Sequence, residues 1–145
     1  MAEFNYRFAS ILNVKEILER KIKEEISFIT KAIADIKAER KFVIEERIKT
    51  QREMMEHSLK VSEFQSVKMY DSLLERQIHL LEKKIEQWEQ KKEEKQLELI
   101  ERKKEVKSFE TLRDNQYEDF LIEERRGELK EMNEIAIRNY NGVHK

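Results

Sequence analysis

Leu59-Lys60-Val61-Ser62-Glu63-Phe64-Gln65 decides whether this chain is one long helix or a folded pair of helices. The sequence on either side reads as nearly uninterrupted helix, so any fold-back must occur here. Ser62 followed three residues later by Gln65 is a capping-box pattern: the hydroxyl accepts from an orphan amide and the glutamine reaches back. Val61 in front of that cap is placed to staple against Phe64 or its neighbour. Just upstream, His57 and Ser58, with Val61 and Ser62, interrupt a run of stronger helix formers. No Pro or Gly stands in the stretch, so the break is read from a cap and not from a breaker. The competing reading is a continuous helix with both serines on its solvated face.

Composition supports long helices. Of the 145 residues 42% are charged and 8% aromatic, with no Pro, no Cys and two Gly. A menu dominated by Glu, Lys, Arg, Leu, Ile and Gln suits coiled coils better than a thick globular core. Disorder is disfavoured, because the apolar residues recur at helical spacing and opposite charges are interspersed. Lys plus Arg number 30 and Asp plus Glu 31, a net charge of −1 that provides no general attraction to nucleic acid or acidic membranes. The start of the sequence lacks a signal-peptide pattern, and no apolar run approaches the ~20 residues of a membrane helix. The expected location is the cytoplasm.

Two ladders follow. In the first helix, expected over about 4–58, apolar residues recur at 3-4 spacing through Phe8, Leu12, Lys15, Glu19, Ile22, Ile26, Ile29, Ile33, Ile36, Arg40, Val43 and Arg47, a seam with polar steps. Beyond Val43 the stripe is read as sliding by one residue to Ile44, Ile48, Met55 and Leu59. The second helix, expected over about 62–140 after a turn at about 59–62, carries Leu74, Ile78, Leu81, Ile85, Trp88, Lys92, Lys95, Leu99, Arg102, Val106 and Phe109. Lys92 and Lys95 read as a polar layer of snorkelling stems that sets register. Trp88 reads as core, and Asn141-Gly142 as a C-cap before fraying residues. The fold expected is therefore all-α: an antiparallel two-helix coiled-coil hairpin with a longer second helix. A fold at Val61 sets residue i opposite a residue near 121 minus i, with Phe4 beside Tyr117. From about residue 118 the second helix overhangs, and its apolar stripe of Leu129, Met132, Ile135 and Ala136 must meet something else.

Site chemistry is absent from the pattern. A two-helix hairpin offers no concave pocket, and no Gly-rich phosphate loop or nucleophile motif is present. His57, His79 and His144 are scattered; Glu53 and His57 share a face but lack a third ligand, and read as surface residues. No catalytic residue, metal site or cofactor is expected, and nothing supports nucleic-acid binding.

One resemblance spans nearly the whole chain. The run Glu128-Leu-Lys-Glu-Met-Asn-Glu-Ile-Ala136 looks like the C-terminal signature of FliJ, the flagellar type III export protein, in which Lys precedes hydrophobic-Asp-Glu-x-Ala. Lys130, Met132, Glu134 and Ala136 match; Asn133 replaces the usual Asp and removes a charge. The opening Phe4-Asn-Tyr-Arg-Phe-Ala-Ser-Ile-Leu-Asn-Val-Lys-Glu16 and the segment Tyr70-Asp-Ser-Leu-Leu-Glu-Arg-Gln-Ile78 also resemble the family, as does Lys103-Lys104 leading to Phe109-Glu-Thr-Leu112. The resemblance implies a non-enzymatic, stalk-like coiled coil that binds and stimulates a hexameric export ATPase ring (FliI-like). It further implies contact with an export gate protein (FlhA-like), handling of export chaperones, and a position at the cytoplasmic face of the inner membrane held through those partners. Residues implied in ATPase binding are Phe4, Phe8, Phe120, Leu129, Met132, Glu134, Ile135 and Ala136. Matched without gaps from the C-terminal motif, the gate-binding residues fall on Tyr70, Leu74, Gln77 and Leu81. Leu74 and Leu81 are also seam positions, so the two roles compete. Two alternatives stand beside this reading: the equivalent stalk of a virulence secretion system, and a plain coiled-coil tether that dimerises through its overhang.

Overall fold

The computed structural model describes residues 2–143, with side chains through 142. Two α-helices, α1 (Ala9–Glu56) and α2 (Val61–Val143), pack against each other as a helical hairpin with the second helix the longer. No strand occurs among the described residues. The contacts fall into two compact units, Arg20–Ile100 and the joined termini Met1–Glu19 with Glu101–Lys145.

The turn lies in the first unit. Helix α1 closes with the His57 amide donating to the Glu53 carbonyl at 3.2 Å, and α2 opens with the Phe64 amide donating to the Lys60 carbonyl at 2.9 Å. The cap is placed two residues earlier than the Ser62–Gln65 pattern suggests. Glu63 Oε2 accepts from the Lys60 amide at 3.2 Å, which makes Lys60 the N-cap and Glu63 the third helical residue reaching back. Leu59 and Phe64 then hold the positions of a hydrophobic staple. Ser62 lies inside the helix, its carbonyl accepting from the Ser66 hydroxyl at 3.1 Å. A carboxylate beside the positive end of a helix is a better partner than an amide, so Glu63 outcompetes Gln65.

Within Arg20–Ile100 the seam runs in one register from end to end. Ile29, Ile33 and Ile85 are buried together with Ile36 and Trp88 against them. Val43, Leu74 and Leu81 form the next layer, with Ile36 and Ile78. The expected slide beyond Val43 does not occur: Ile48 is exposed and Met55 is 89% exposed, whereas Thr50 is buried. Thr50 keeps the 3-4 spacing from Val43 and Arg47, and its hydroxyl is satisfied by the Glu46 carbonyl at 2.9 Å, so a polar residue takes the seam at little cost. Charged seam residues reach across it. Lys95 Nζ lies 2.8 Å from Glu25 and 3.4 Å from Glu98. Arg47 donates to Asp71 at 3.1 Å and lies 3.6 Å from Glu75.

In the unit of joined termini the core is Tyr6, Leu12 and Val106, with Phe4, Phe8 and Phe109 packed on it. Lys15 meets Glu105 at 2.9 Å. Residues 2–6 are not helical, so α1 starts at Ala9 and not near Phe4. The Ala9 amide donates to the Tyr6 carbonyl in a single turn before α1 begins. Phe4, Tyr6 and Phe8 alternate along an extended segment, and this spacing lays all three rings on α2; a helix would have turned Tyr6 away. At the other end α2 runs through Gly142 without a positive φ, so Asn141-Gly142 does not act as a C-cap. His144 lies outside the described residues, as does part of the expected frayed end.

Two outcomes test this packing. Ile29, 2% exposed, contributes a buried side chain in the seam, and Ile29→Ala is expected to cost about 2–4 kcal/mol by urea unfolding. Phe42→Ala, at a 67% exposed position, is expected to cost less than about 1 kcal/mol. The second outcome concerns pH. Contact with Lys95 holds the Glu25 carboxyl below its ordinary range, and contact with Lys15 does the same for Glu105; desolvation opposes both. A carboxylate whose folded pKa is depressed contributes stability above its unfolded pKa and loses it as pH falls through the folded value. Thermal unfolding followed by circular dichroism is therefore expected to show a falling midpoint below about pH 4. Glu25→Gln with Glu105→Gln makes that fall shallower, and an unchanged acid limb excludes these pairs as its cause.

Candidate functional site

The eight residues tied to ATPase contact divide into two environments, both in the unit of joined termini. Phe4, Phe8 and Phe120 are half-buried in an aromatic patch made by the chain's own ends. Phe4 meets Tyr117 edge-on at 5.2 Å and Phe120 at 5.5 Å, while Phe8 meets Phe109 at 6.3 Å with the Arg7 guanidinium 5.7 Å over its other side. Tyr6 fixes the segment: its hydroxyl donates to the Phe109 carbonyl at 2.8 Å. Beyond Phe120 the environment changes. From Leu121 to Gly142 every side chain is exposed except that of Glu124. Leu129, Met132 and Ile135 are each more than half exposed, and Glu134 and Ala136 are exposed beside them.

Amphipathic spacing explains this surface. Ile122, Leu129, Met132 and Ala136 follow a 3-4 helical repeat, so the exposed apolar atoms form a stripe and not scattered points. The row that continues the seam of α2 is different: Glu123, Glu124, Gly127, Glu128 and Glu131 border a shallow groove next to Phe120. A Cβ built on Gly127 meets nothing within 4 Å. No intramolecular packing requires a glycine there.

The four gate residues lie in the Arg20–Ile100 unit, and there the carry-over needs correction. Leu74 and Leu81, 4% and 6% exposed, are seam residues and present nothing to a partner. Only Tyr70 and Gln77 face solvent; the Tyr70 hydroxyl is 3.5 Å from Glu46. Exposed apolar atoms on this part of α2 come instead from Met69, Leu73 and Leu80, one face around from the seam. Met69 and Leu73 line an open groove with Gln65, Lys68, Tyr70 and Arg76.

Tyr6, Tyr117, Met69, Leu73 and Leu80 are the residues that reading the sequence for function missed. The alternation Phe4-x-Tyr6-x-Phe8 was the available sign of an extended, aromatic-anchored segment. Among the described residues no group of His, Asp and Glu could hold a metal ion, and no helix is long and apolar enough to cross a membrane.

Two paired helices, with open surface grooves and an apolar stripe left on one helix end, define a helical interaction protein whose business is with other proteins. The sequence model of the flagellar FliJ protein matches residues 4–145, and the chain belongs to the FliJ family. That family is a non-catalytic component of flagellar type III protein export. Comparison with curated proteins gave no match, and comparison with solved structures gave none either.

Gly127→Ala is expected to stabilise the helix locally by about 1 kcal/mol, since it removes backbone freedom and meets no obstacle. Amide exchange should slow over the turns around residue 127 with no change at Ile29; faster exchange would show that the glycine serves the isolated chain.

Proposed function

We propose that this chain is the stalk-like element of the flagellar export apparatus: it binds and stimulates a hexameric FliI-like export ATPase through the end of α2, and links it to the export gate. The observation that carries this reading is the exposed stripe of Leu129, Met132 and Ile135 on a helix that continues past its last contact with α1. Soluble proteins seldom leave a contiguous apolar stripe of this length uncovered without a partner for it. Here the stripe coincides with the family's terminal motif, Lys130 to Ala136. Glu134 adds a charge at its edge, whereas Asn133 adds none. In this reading the aromatic patch of Phe4, Phe8 and Phe120 supports the base of the free helix, and contact with an FlhA-like gate protein uses Tyr70 and Gln77 with their exposed neighbours. Export chaperones are a further class of helical partner. Location at the cytoplasmic face of the inner membrane follows from these partners, since the chain itself has no spanning helix.

The test is hydrolysis by the cognate ATPase with and without this protein. Stimulation and co-migration are expected, and Leu129→Asp with Met132→Asp should abolish both while leaving the helical content intact. No stimulation and no co-migration by the unaltered chain would overturn the proposal. A stable self-associated dimer in sedimentation that ignores the ATPase would favour a tether.

A further inference from the structure

We infer that residues 2–6 are a detachable strap that covers the base of the partner-binding helix and competes with the partner for it. This rests on the reading of the α2 end as a partner-binding surface. The backbone of the segment is almost without anchors: the one backbone hydrogen bond printed for it is that from the Ala9 amide to the Tyr6 carbonyl. It is held by side chains, through the Phe4 contacts to Tyr117 and Phe120 and the Tyr6 hydroxyl bond to the Phe109 carbonyl. A short extended segment tied by side chains alone opens without unfolding either helix, at the low end of the local stability range.

What it covers is continuous with the exposed stripe. Tyr117 and Phe120 stack at 6.4 Å, and Leu121 and Ile122, both exposed, follow directly. With the strap in place the aromatic face from Phe109 to Phe120 is occupied by Phe4, Tyr6 and Phe8. With the strap released that face joins the stripe and lengthens the apolar surface toward the hairpin. The closed strap thus withholds part of the surface, and apparent affinity falls by the fraction of molecules in which it is open.

Two measurements on the full chain test this. Relaxation dispersion on the aromatic rings is expected to show microsecond-to-millisecond exchange at Phe4, Tyr6 and Phe120 and none at Trp88; static rings at all four would overturn the strap. Titration onto the cognate hexameric ATPase is expected to show Phe4→Ala binding roughly three- to tenfold more tightly than the unaltered chain, with Tyr6→Phe in between. Equal or weaker binding by Phe4→Ala would overturn the competition and make the strap part of the interface or inert. If the rings exchange but the unaltered chain does not bind, the partner assignment fails and the competition with it, while the mobile strap stands. Circular dichroism of each variant confirms that the helices are intact.

Discussion

A two-helix seam is too thin to choose its own alignment, and the ion pairs that cross it make the choice. No side chain in the chain reaches complete burial, and the apolar layers repeat in kind along both helices. Sliding one helix by two turns would replace Ile and Leu layers by similar ones at modest cost. Lys95 between Glu25 and Glu98, and Arg47 between Asp71 and Glu75, have no equivalent in the slipped alignment. Slippage leaves half-buried charges without partners, a larger penalty than the pairs' own small net worth. Such pairs add little to stability and much to uniqueness, the role usually given to single polar residues in coiled coils. Contact with Asp71 raises the Arg47 pKa, and contacts with Glu25 and Glu98 raise that of Lys95; in both the charged form is favoured against partial desolvation.

Once register is held, the place of the turn determines what α2 has left over. Glu63 caps α2 so early in the chain that α1 is exhausted before α2 is. The strap takes up part of the difference. An extended residue advances more than twice as far as a helical one, so Phe4 reaches Tyr117 and Phe120 from a helix that begins only at Ala9. Helix, strap and free end are three consequences of one capping carboxylate and one alignment.

The seam was legible in the sequence because its signal is periodic and repeated. Every position of the ladder from Phe8 to Arg47, and from Leu74 to Phe109, is buried or half-buried, the charged steps included. The misread parts are those where a local choice outweighed periodicity. Ile44 and Ile48 drew the stripe one residue aside, because nothing in a hydropathy pattern reveals that Thr50 satisfies its hydroxyl on its own helix. The cap moved from Ser62 to Lys60 because the competition between a carboxylate and an amide for the same orphan donor was decided by charge. Phe4 to Phe8 looked like the first turn of a helix, since rings at i and i+4 satisfy a helical pattern as well as an extended one. Leu74 and Leu81 showed the limit of transferring partner roles by position: two roles were assigned to one face, and burial gave it to the seam.

The direction of the free stripe carries the argument beyond mere leftover length. At roughly 100° per residue, Val106, Phe109, Arg113, Gln116 and Phe120 point toward α1 and the strap, whereas Ile122, Leu129, Met132 and Ala136 point roughly 140° away. Had α2 simply outlasted its partner, its apolar residues would have kept the old heading, and a longer α1 could have covered them. Instead the old heading is taken by Glu124, Gly127, Glu131 and Glu134, where an extended α1 would find carboxylates. The helix end therefore turns its apolar face from its own hairpin toward something approaching from another side, and a partner on another chain meets that geometry where a longer hairpin does not.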